Sequence, residues 1–544
     1  MARLLQIFGF LSVLLRGATL TFQSLTVGGV VFFRCVLPAA GDGSPEIKAA
    51  TLHWIRRSAL VLAAVQISFL LANSLILTQS AEITFVDVLG ANFALAGLLG
   101  ITASFTVAAL SKPGRGGAGT RLLLPAAAII VSSTLTSHSM ARLDYRLPLL
   151  FITALHQLAT AAWLGGLPYL LIAMRRASCD EFVRRLSKRF SQLALLSVGT
   201  LAIAGAMLSF AYVGSLKAIY GTSYGAMVAT KALLFTLLLL LGAMNFQIVR
   251  NGQGSAIRAI LKRFGEAEIG IGITVILAAS SLTSLPPAVD LVQDRVSGEE
   301  IYARMTPRLP RLASPAMKDL PEDIYAAQKM AFEAGSLSTE SYVPGQTGTR
   351  PNTPAEKAWS EYNHHWAGII VLSVGLLALL AQAGKVSWAR NWPLLFLGLS
   401  VFLFVRSDPE VWPLGPNGFW VTFADPEVLL HRIFVLLVVA LAVFEWRVQT
   451  GRVASSNVRL VFPILVAVSG ALLLTHSHSL GNIKEEVLAE LSHIPLAILA
   501  VMAGWSRWLE LRLPEENRSR LWAARFWPVC ISLIGVLLLN YREM

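Results

Sequence analysis

The chain has 544 residues, of which 55% are hydrophobic and only 14% charged, and its mean hydropathy is +0.62. A soluble globular protein carries about a quarter charged residues and shorter apolar runs, so a soluble enzyme or binding module is excluded and a polytopic membrane protein is expected. The net charge of +13 does not indicate nucleic acid, because the basic residues fall in short clusters between apolar runs, as they do where a membrane protein fixes its orientation.

A hydrocarbon core is crossed by about 20 apolar residues. On that rule the sequence predicts an all-α fold of about fourteen spans, near 5–37, 54–79, 87–110, 121–140, 149–174, 190–213, 225–249, 266–286, 365–384, 391–407, 427–446, 458–478, 486–509 and 521–540. Arg3 followed by Leu4 to Leu15 resembles a signal peptide, but Arg16 interrupts it and no small-x-small cleavage site follows, so one long, tilted first helix is expected. The arrangement is 8 + 6: a membrane module over 1–286, a loop over 287–363 and a second membrane module over 364–544. The middle segment has prolines at 287, 307, 310, 315, 321, 344, 351 and 354, which makes it too polar to enter lipid and too long for a turn. Within it Pro321 precedes one expected short helix, Asp323 to Ala334. Met305, Met317 and Met330 lie in this loop and could be soft ligands, but their irregular spacing favours packing or chance.

Basic residues set the orientation. The connections after odd-numbered spans carry clusters such as Arg175, Arg176, Arg184, Arg185, Lys188 and Arg189, then Arg250, Arg258, Lys262 and Arg263. The short connections after even-numbered spans hold few: Arg142 and Arg146, Lys217, Arg406, Lys484. The positive-inside rule then places both termini and the long loop outside. Eight of the nine histidines fall at or near outer helix ends, and only His53 falls on the cytoplasmic side. Imidazole is costly in hydrocarbon, so these positions mark a candidate site.

His138 closes the fourth span with Met140 two residues on, and His156 opens the fifth, so antiparallel packing would bring them close. Trp163, seven residues after His156, shares its helix face and could wall the site, while Gly165 and Gly166 allow close approach of a neighbouring helix. The second module repeats the pattern with His476, His478 and His493. On a continuous helix His476 and His478 would point about 200° apart, so they share an ion only if the helix ends near Thr475. Glu427 and His431 lie at i, i+4, where the carboxylate could ligate, orient the imidazole, or favour the helix N-terminus. His364 and His365 are adjacent, so one of them is expected to face inward. Neutral imidazole suits copper, zinc, iron and nickel, and a thioether such as Met140 tilts the choice toward Cu(I). The expected metal ligands are therefore His138, His156, His476, His478, His493, His431, Met140 and Glu427.

D-P-E occurs at 408–410 and again at 425–427, with Trp412, Phe419 and Trp420 between, which fits an interfacial belt or a cation-collecting mouth. Arg16, Lys231 and Arg432 lie inside spans and are expected to face the bundle or snorkel. Cys35, Cys179 and Cys530 are too scattered for a disulfide framework or a C-x-x-C site.

L-H-Q-L-A-T-A-A-W-L-G-G-L (155–167), T-S-Y-G-A-M-V-A-T-K (222–231), Asn245, and an acidic-then-apolar eighth span ending in S-L-P-P-A (284–288) occur in order. With these motifs residues 5–290 resemble the CopD copper-resistance family, and 359–512 resemble the C-terminal extension of its longer members. The resemblance implies an inner-membrane protein that handles copper, usually in uptake, beside a periplasmic copper carrier of the CopC type supplied as a separate chain.

The leading expectation is a copper permease or copper-handling membrane protein without enzymatic activity, whose partners are the lipid bilayer, the ion and such a carrier. No G-x-x-x-x-G-K-[ST] motif occurs, which leaves a gradient, carrier hand-off or facilitated diffusion as the drive. Two alternatives remain open. One is a cytochrome-b-type protein holding haem b between facing histidines such as His138 and His478. The other is an assembly factor that delivers copper to another protein.

Overall fold

The computed structural model describes residues 2–41, 43–80, 84–112, 118–251, 255–316, 320, 353–384, 386–409, 411–415, 418–420, 426–453, 455–475 and 483–543. Among these the regular elements are helices, and eleven of them are long and apolar enough to cross a membrane. The protein is an all-α polytopic membrane protein. Three further expected spans coincide with the shorter apolar helices Gly119–Leu135 and Val458–Leu473 and with the helix Pro426–Gln449, so a count of fourteen remains an expectation.

The chain divides into two compact units, Phe8–Gln293 and Asp294–Met544 with Met1–Ile7. The first contains α1 (Ala2–Val31) from Phe8 onward, which runs into a π-helical turn at Phe32–Val36, then α2 (Pro45–Ser80), α3 (Asn92–Leu110), α4 (Leu123–Leu135) and the single turn α5 (His138–Ala141). α6 (Arg146–Thr160), a π-helical turn at Ala161–Gly165 and α7 (Leu167–Arg176) make one interrupted span. α8 (Asp180–Tyr212), α9 (Ser223–Asn251) and α10 (Ser255–Leu282) complete it. α2 packs along α3, α3 along α4, α6 along α8, and α9 along α10.

In lipid every polar group must be satisfied within the protein. The hydroxyls of Thr19, Thr51, Thr134 and Thr230 accordingly donate to the carbonyl four residues back, at 2.8 Å each. Glycine sets the closest helix contact. A Cβ on Gly165 would overlap the backbone carbonyl of Ser24, and one on Gly28 the carbonyl of Ala161, so α1 lies directly against the π turn. The close approach expected from Gly165 is present.

The second unit opens with α11 (Gly298–Met305), whose Ser297 and Glu300 form a capping box. α12 (Pro354–Gln382) starts eleven residues before the expected 365, because Thr353 and Glu356 form a second capping box with Pro354 at the first turn. The polar first turns, which read as loop, are accommodated by packing: Trp359 and Asn363 donate to the Arg406 carbonyl at 3.2 and 3.0 Å. A 3₁₀ segment, Ser387–Leu394, leads into α13 (Leu395–Arg406), followed by α14 (Pro426–Gln449), α15 (Val461–Leu473), α16 (Ile483–Arg512) and α17 (Arg518–Leu539). α12 packs along α17, and α16 along both α15 and α17. Trp392, Phe462 and Trp527 meet at ring separations of 5.5 to 6.2 Å, with Cys530 buried among them as an inert packing thiol. Below them Arg507 bridges Glu445 at 3.3 Å and Glu510 at 2.7 Å, and Trp527 and Gln382 also donate to Glu510. The expected helix Asp323 to Ala334 lies outside the described residues.

Candidate functional site

In the first unit one face of α9 carries Tyr224, Lys231, Phe235, Gly242 and Asn245, spaced seven, four, seven and three residues apart. Polar groups from α5, α6, the π turn and α10 meet this face in sequence along the bundle.

At one end the half-buried His138 ring sits 6.4 Å from Tyr212 and 6.2 Å from Tyr224. Its Nε2–H donates to the Leu282 carbonyl at 2.9 Å, which leaves the ring's lone pair on Nδ1. The preceding turn is tied down: Ser139 is bonded to Thr153 at 2.7 Å and to the Tyr212 hydroxyl at 2.8 Å. Arg142 makes paired 3.0 Å bonds to Asp290 and lies over the Tyr212 ring. Arg16 faces the bundle, as expected, and donates to Thr136 at 3.1 Å. Met140 is half-buried on the same turn as His138.

His156 lies on α6 against Gly205, with Nδ1 buried and without a hydrogen-bond partner. Lys231 is half-buried on the α9 face. One residue on, Gln157 accepts from the buried Gln23 of α1 at 3.0 Å. Trp163, expected to wall a site with His156, is bonded to Glu268. The π turn inserts a residue's worth of rotation, and the indole N–H instead donates to Glu268 Oε1 at 3.2 Å, with its ring 6.0 Å from Phe235. Asn245 donates to the other carboxylate oxygen at 2.8 Å. Glu268 is 4% exposed, and among the described residues its hydrogen-bond donors are these two neutral groups. Beside it lies a cavity of about 300 Å³ lined by Trp163, Leu170, Met174, Phe190, Asn245 and Glu268.

In the second unit His493 donates from Nδ1 to the Ala489 carbonyl at 2.7 Å, and its ring is 6.4 Å from that of His364. His365, fully buried, accepts the Arg311 backbone N–H at 2.7 Å and bonds the Tyr541 carbonyl at 3.0 Å, so both its nitrogens are engaged in packing. His431 bonds the buried Asp408, a carboxylate of the first D-P-E segment, at 2.6 Å. Arg432 donates to the carbonyls of Phe404 and Trp412 and lies over the Phe404 ring. His476 and His478 lie outside the described residues, as does the Glu427 side chain. Among the described residues no group of three or more His, Cys, Asp or Glu is placed to hold a metal ion.

Two residues escaped the motif search. Glu268 was visible only as the acidic residue within the apolar eighth span, and Asp408 as half of a loop repeat whose fold partner no spacing rule supplies.

Residues 184–282, covering most of α8 and all of α9 and α10, match the family model described as Copper resistance protein D. This part of the chain is CopD-like. The matched stretch carries Lys231, Asn245 and Glu268, while His138, His156 and Trp163 precede it. The chain is also 29% identical over 161 residues to "Copper transport protein CutJ" of Bacillus subtilis (strain 168), a match covering 29% of either chain. The matched region therefore spans less than a third of that relative's length. No solved structure matches the chain significantly.

Proposed function

We propose that this protein transports or hands over copper across the bacterial inner membrane, and that the CopD-like unit provides the path. The observation that carries this reading is the file of polar groups along one face of α9. Ionisable groups inside a membrane bundle mark ion or proton pathways by default. Here His138, then His156 with Lys231, then Glu268 with Asn245 and Trp163 follow one another through otherwise apolar helices. The family match and the relative's printed name supply the cargo, copper.

The chemistry fits a soft, exchangeable cation. The His138 and His156 rings offer nitrogen lone pairs, Met140 a thioether, and Glu268 a carboxylate deeper in the file. The positive-inside pattern places the His138 end outside, so uptake from the periplasm, with a CopC-type carrier as donor, is the direction we infer.

The test is copper entry into vesicles containing the purified full-length protein, read by a trapped copper-sensitive dye. Entry faster than in protein-free vesicles, and slowed at least about tenfold by His156→Ala, supports the reading. Equal entry with and without protein overturns it. A Soret band in the purified protein would move haem b ahead of copper.

A further inference from the structure

The proposed copper path uses Glu268 but not the cavity beside it, which is walled by α7, α8, α9 and α10. The cavity is a slot. On α8 its lining runs from Ser187 to Val198, about 16 Å at 1.5 Å per residue, so its volume of about 300 Å³ is drawn out along the helices. Leu167, Leu171, Met174, Phe190 and Leu239 make most of the wall hydrocarbon or thioether. Glu268 is the ionisable residue among the lining, and both its oxygens are already bonded, to Trp163 and Asn245. Such a slot favours hydrocarbon over water, which needs about two to four polar partners.

The slot reaches the surface on two of its helices. Leu195 of α8 and Phe246 of α9 line it and are 59% and 41% exposed. These two helices also have the least buried of the eleven spanning helices, 17% and 22%. In a membrane their surroundings are acyl chains.

One end of the slot is basic on all four helices. Arg175 and Arg176 follow Met174, Arg184 and Lys188 lie on either side of Ser187, Arg250 lies three residues after Gln247, and Lys262 and Arg263 follow Leu261. Arg175 and Arg263 share Glu266, Arg184 pairs with Glu181, and Arg258 with Asp180. Among the described residues Arg176, Lys188 and Arg250 form no ion pair, so this end keeps a surplus of positive charge. Orientation requires basic helix ends; it does not require an apolar slot that runs from them into the bundle. Basic pockets between membrane helices are where anionic lipid head groups bind. Ser187 belongs to both features: it lines the slot between Arg184 and Lys188, is 5% exposed, and its hydroxyl has no hydrogen-bond partner among the described residues. That is a spare donor where an ester carbonyl would join a charged head to an apolar chain.

We propose that this slot binds one anionic phospholipid, with an acyl chain between α8 and α9 and the phosphate among the basic helix ends. The site is separate from the copper ligands and does not rest on the transport reading.

The experiment uses the full-length protein in detergent, stripped of native lipid and titrated with phosphatidylglycerol, phosphatidylcholine or inorganic phosphate, with bound species weighed by native mass spectrometry. One phosphatidylglycerol should survive activation that removes phosphatidylcholine. Ala194→Phe places a ring in the slot wall and should lose that lipid, while Leu196→Phe, at a position 70% exposed and outside the lining, should keep it. Arg176→Gln combined with Lys188→Gln should lower the preference for phosphatidylglycerol over phosphatidylcholine at least about tenfold. Equal retention of the two lipids, or unchanged retention in Ala194→Phe, overturns the proposal. Displacement of phosphatidylglycerol by inorganic phosphate also overturns it, since the site then reads a free anion and not a lipid. A measurement on the wild type covers the case in which Ala194→Phe does not fold: photolysis with phosphatidylglycerol carrying a diazirine in its acyl chain. Labels on the buried Leu171 and Met174 support the slot, and labels confined to residues outside its lining overturn it. None of these readouts involves copper, so failure of vesicle transport would refute the transport reading and leave this one standing.

Discussion

The indole of Trp163 and the carboxylate of Glu268 are joined by a 3.2 Å hydrogen bond between the π turn and α10. Asn245 of α9 donates to the other oxygen at 2.8 Å. Three separate elements of the first unit thus converge on one buried acid. The π turn makes this possible, because a regular helix would keep Trp163 on the His156 face.

A Glu268→Gln protein should unfold at lower temperature. Glutamine keeps the shape but has one acceptor oxygen, so either Trp163 or Asn245 then points its N–H at an NH₂ group. Leaving one buried donor unsatisfied costs about 1–3 kcal/mol. Adding Asn245→Asp restores an acceptor opposite the new amide and should recover most of the loss, with a coupling of about 1 kcal/mol or more in the double-mutant cycle. Thermal unfolding in detergent reads all four proteins. Additive losses would show that Glu268 and Asn245 act independently.

Gly165→Ala should prevent normal assembly of the first unit. The new Cβ would meet backbone, the Ser24 carbonyl of α1, rather than a side chain that can turn away. Overpacking costs about 1–3 kcal/mol where side chains can adjust, and more where they cannot. Gly199→Ala is the control, since nothing lies within 4 Å of a Cβ there. Gel-filtration yield should collapse for the first variant and stay at the wild-type level for the second. Equal yields would mean that α1 does not rest on the π turn.

The helices were legible in the sequence because a bilayer imposes a length and an apolar composition that show in any window of the chain. The residues that matter were legible only in part. His138 and His156 stood out because imidazole is rare in hydrocarbon, and Gly165 because its neighbour repeats it. The Trp163–Glu268 bond was not legible, since it depends on a π turn that has no residue signature. Nor was the His364–His493 pair, which joins positions 129 residues apart. His431 shows the same limit from the other side: its bond to Asp408 crosses from a loop to a helix, beyond the reach of helical spacing. Spacing rules reach one element, and these contacts cross between elements.

The cap of α11 should respond to acid. Glu300 accepts the Ser297 backbone N–H at 2.6 Å and the Lys484 ammonium at 3.1 Å. Bonding to Ser297, first through its backbone and then its side chain, followed by Lys484, holds this carboxyl below its ordinary range. A carboxyl lowered by folding stabilises the folded state above its unfolded value of about 4.3, and that contribution is lost as pH falls through the lower folded value. The acid is solvent-exposed, so screening keeps the effect small and local. Amide exchange across 298–305, measured at fixed acid pH against the Glu300→Gln protein as reference, should therefore be slower in the wild type near pH 6. The two rates should converge as the pH drops below about 4. A difference that persists unchanged into acid would mean that the cap is held by the Ser297 hydroxyl and the Val296–Val487–Leu488 cluster, with no contribution from the Glu300 charge.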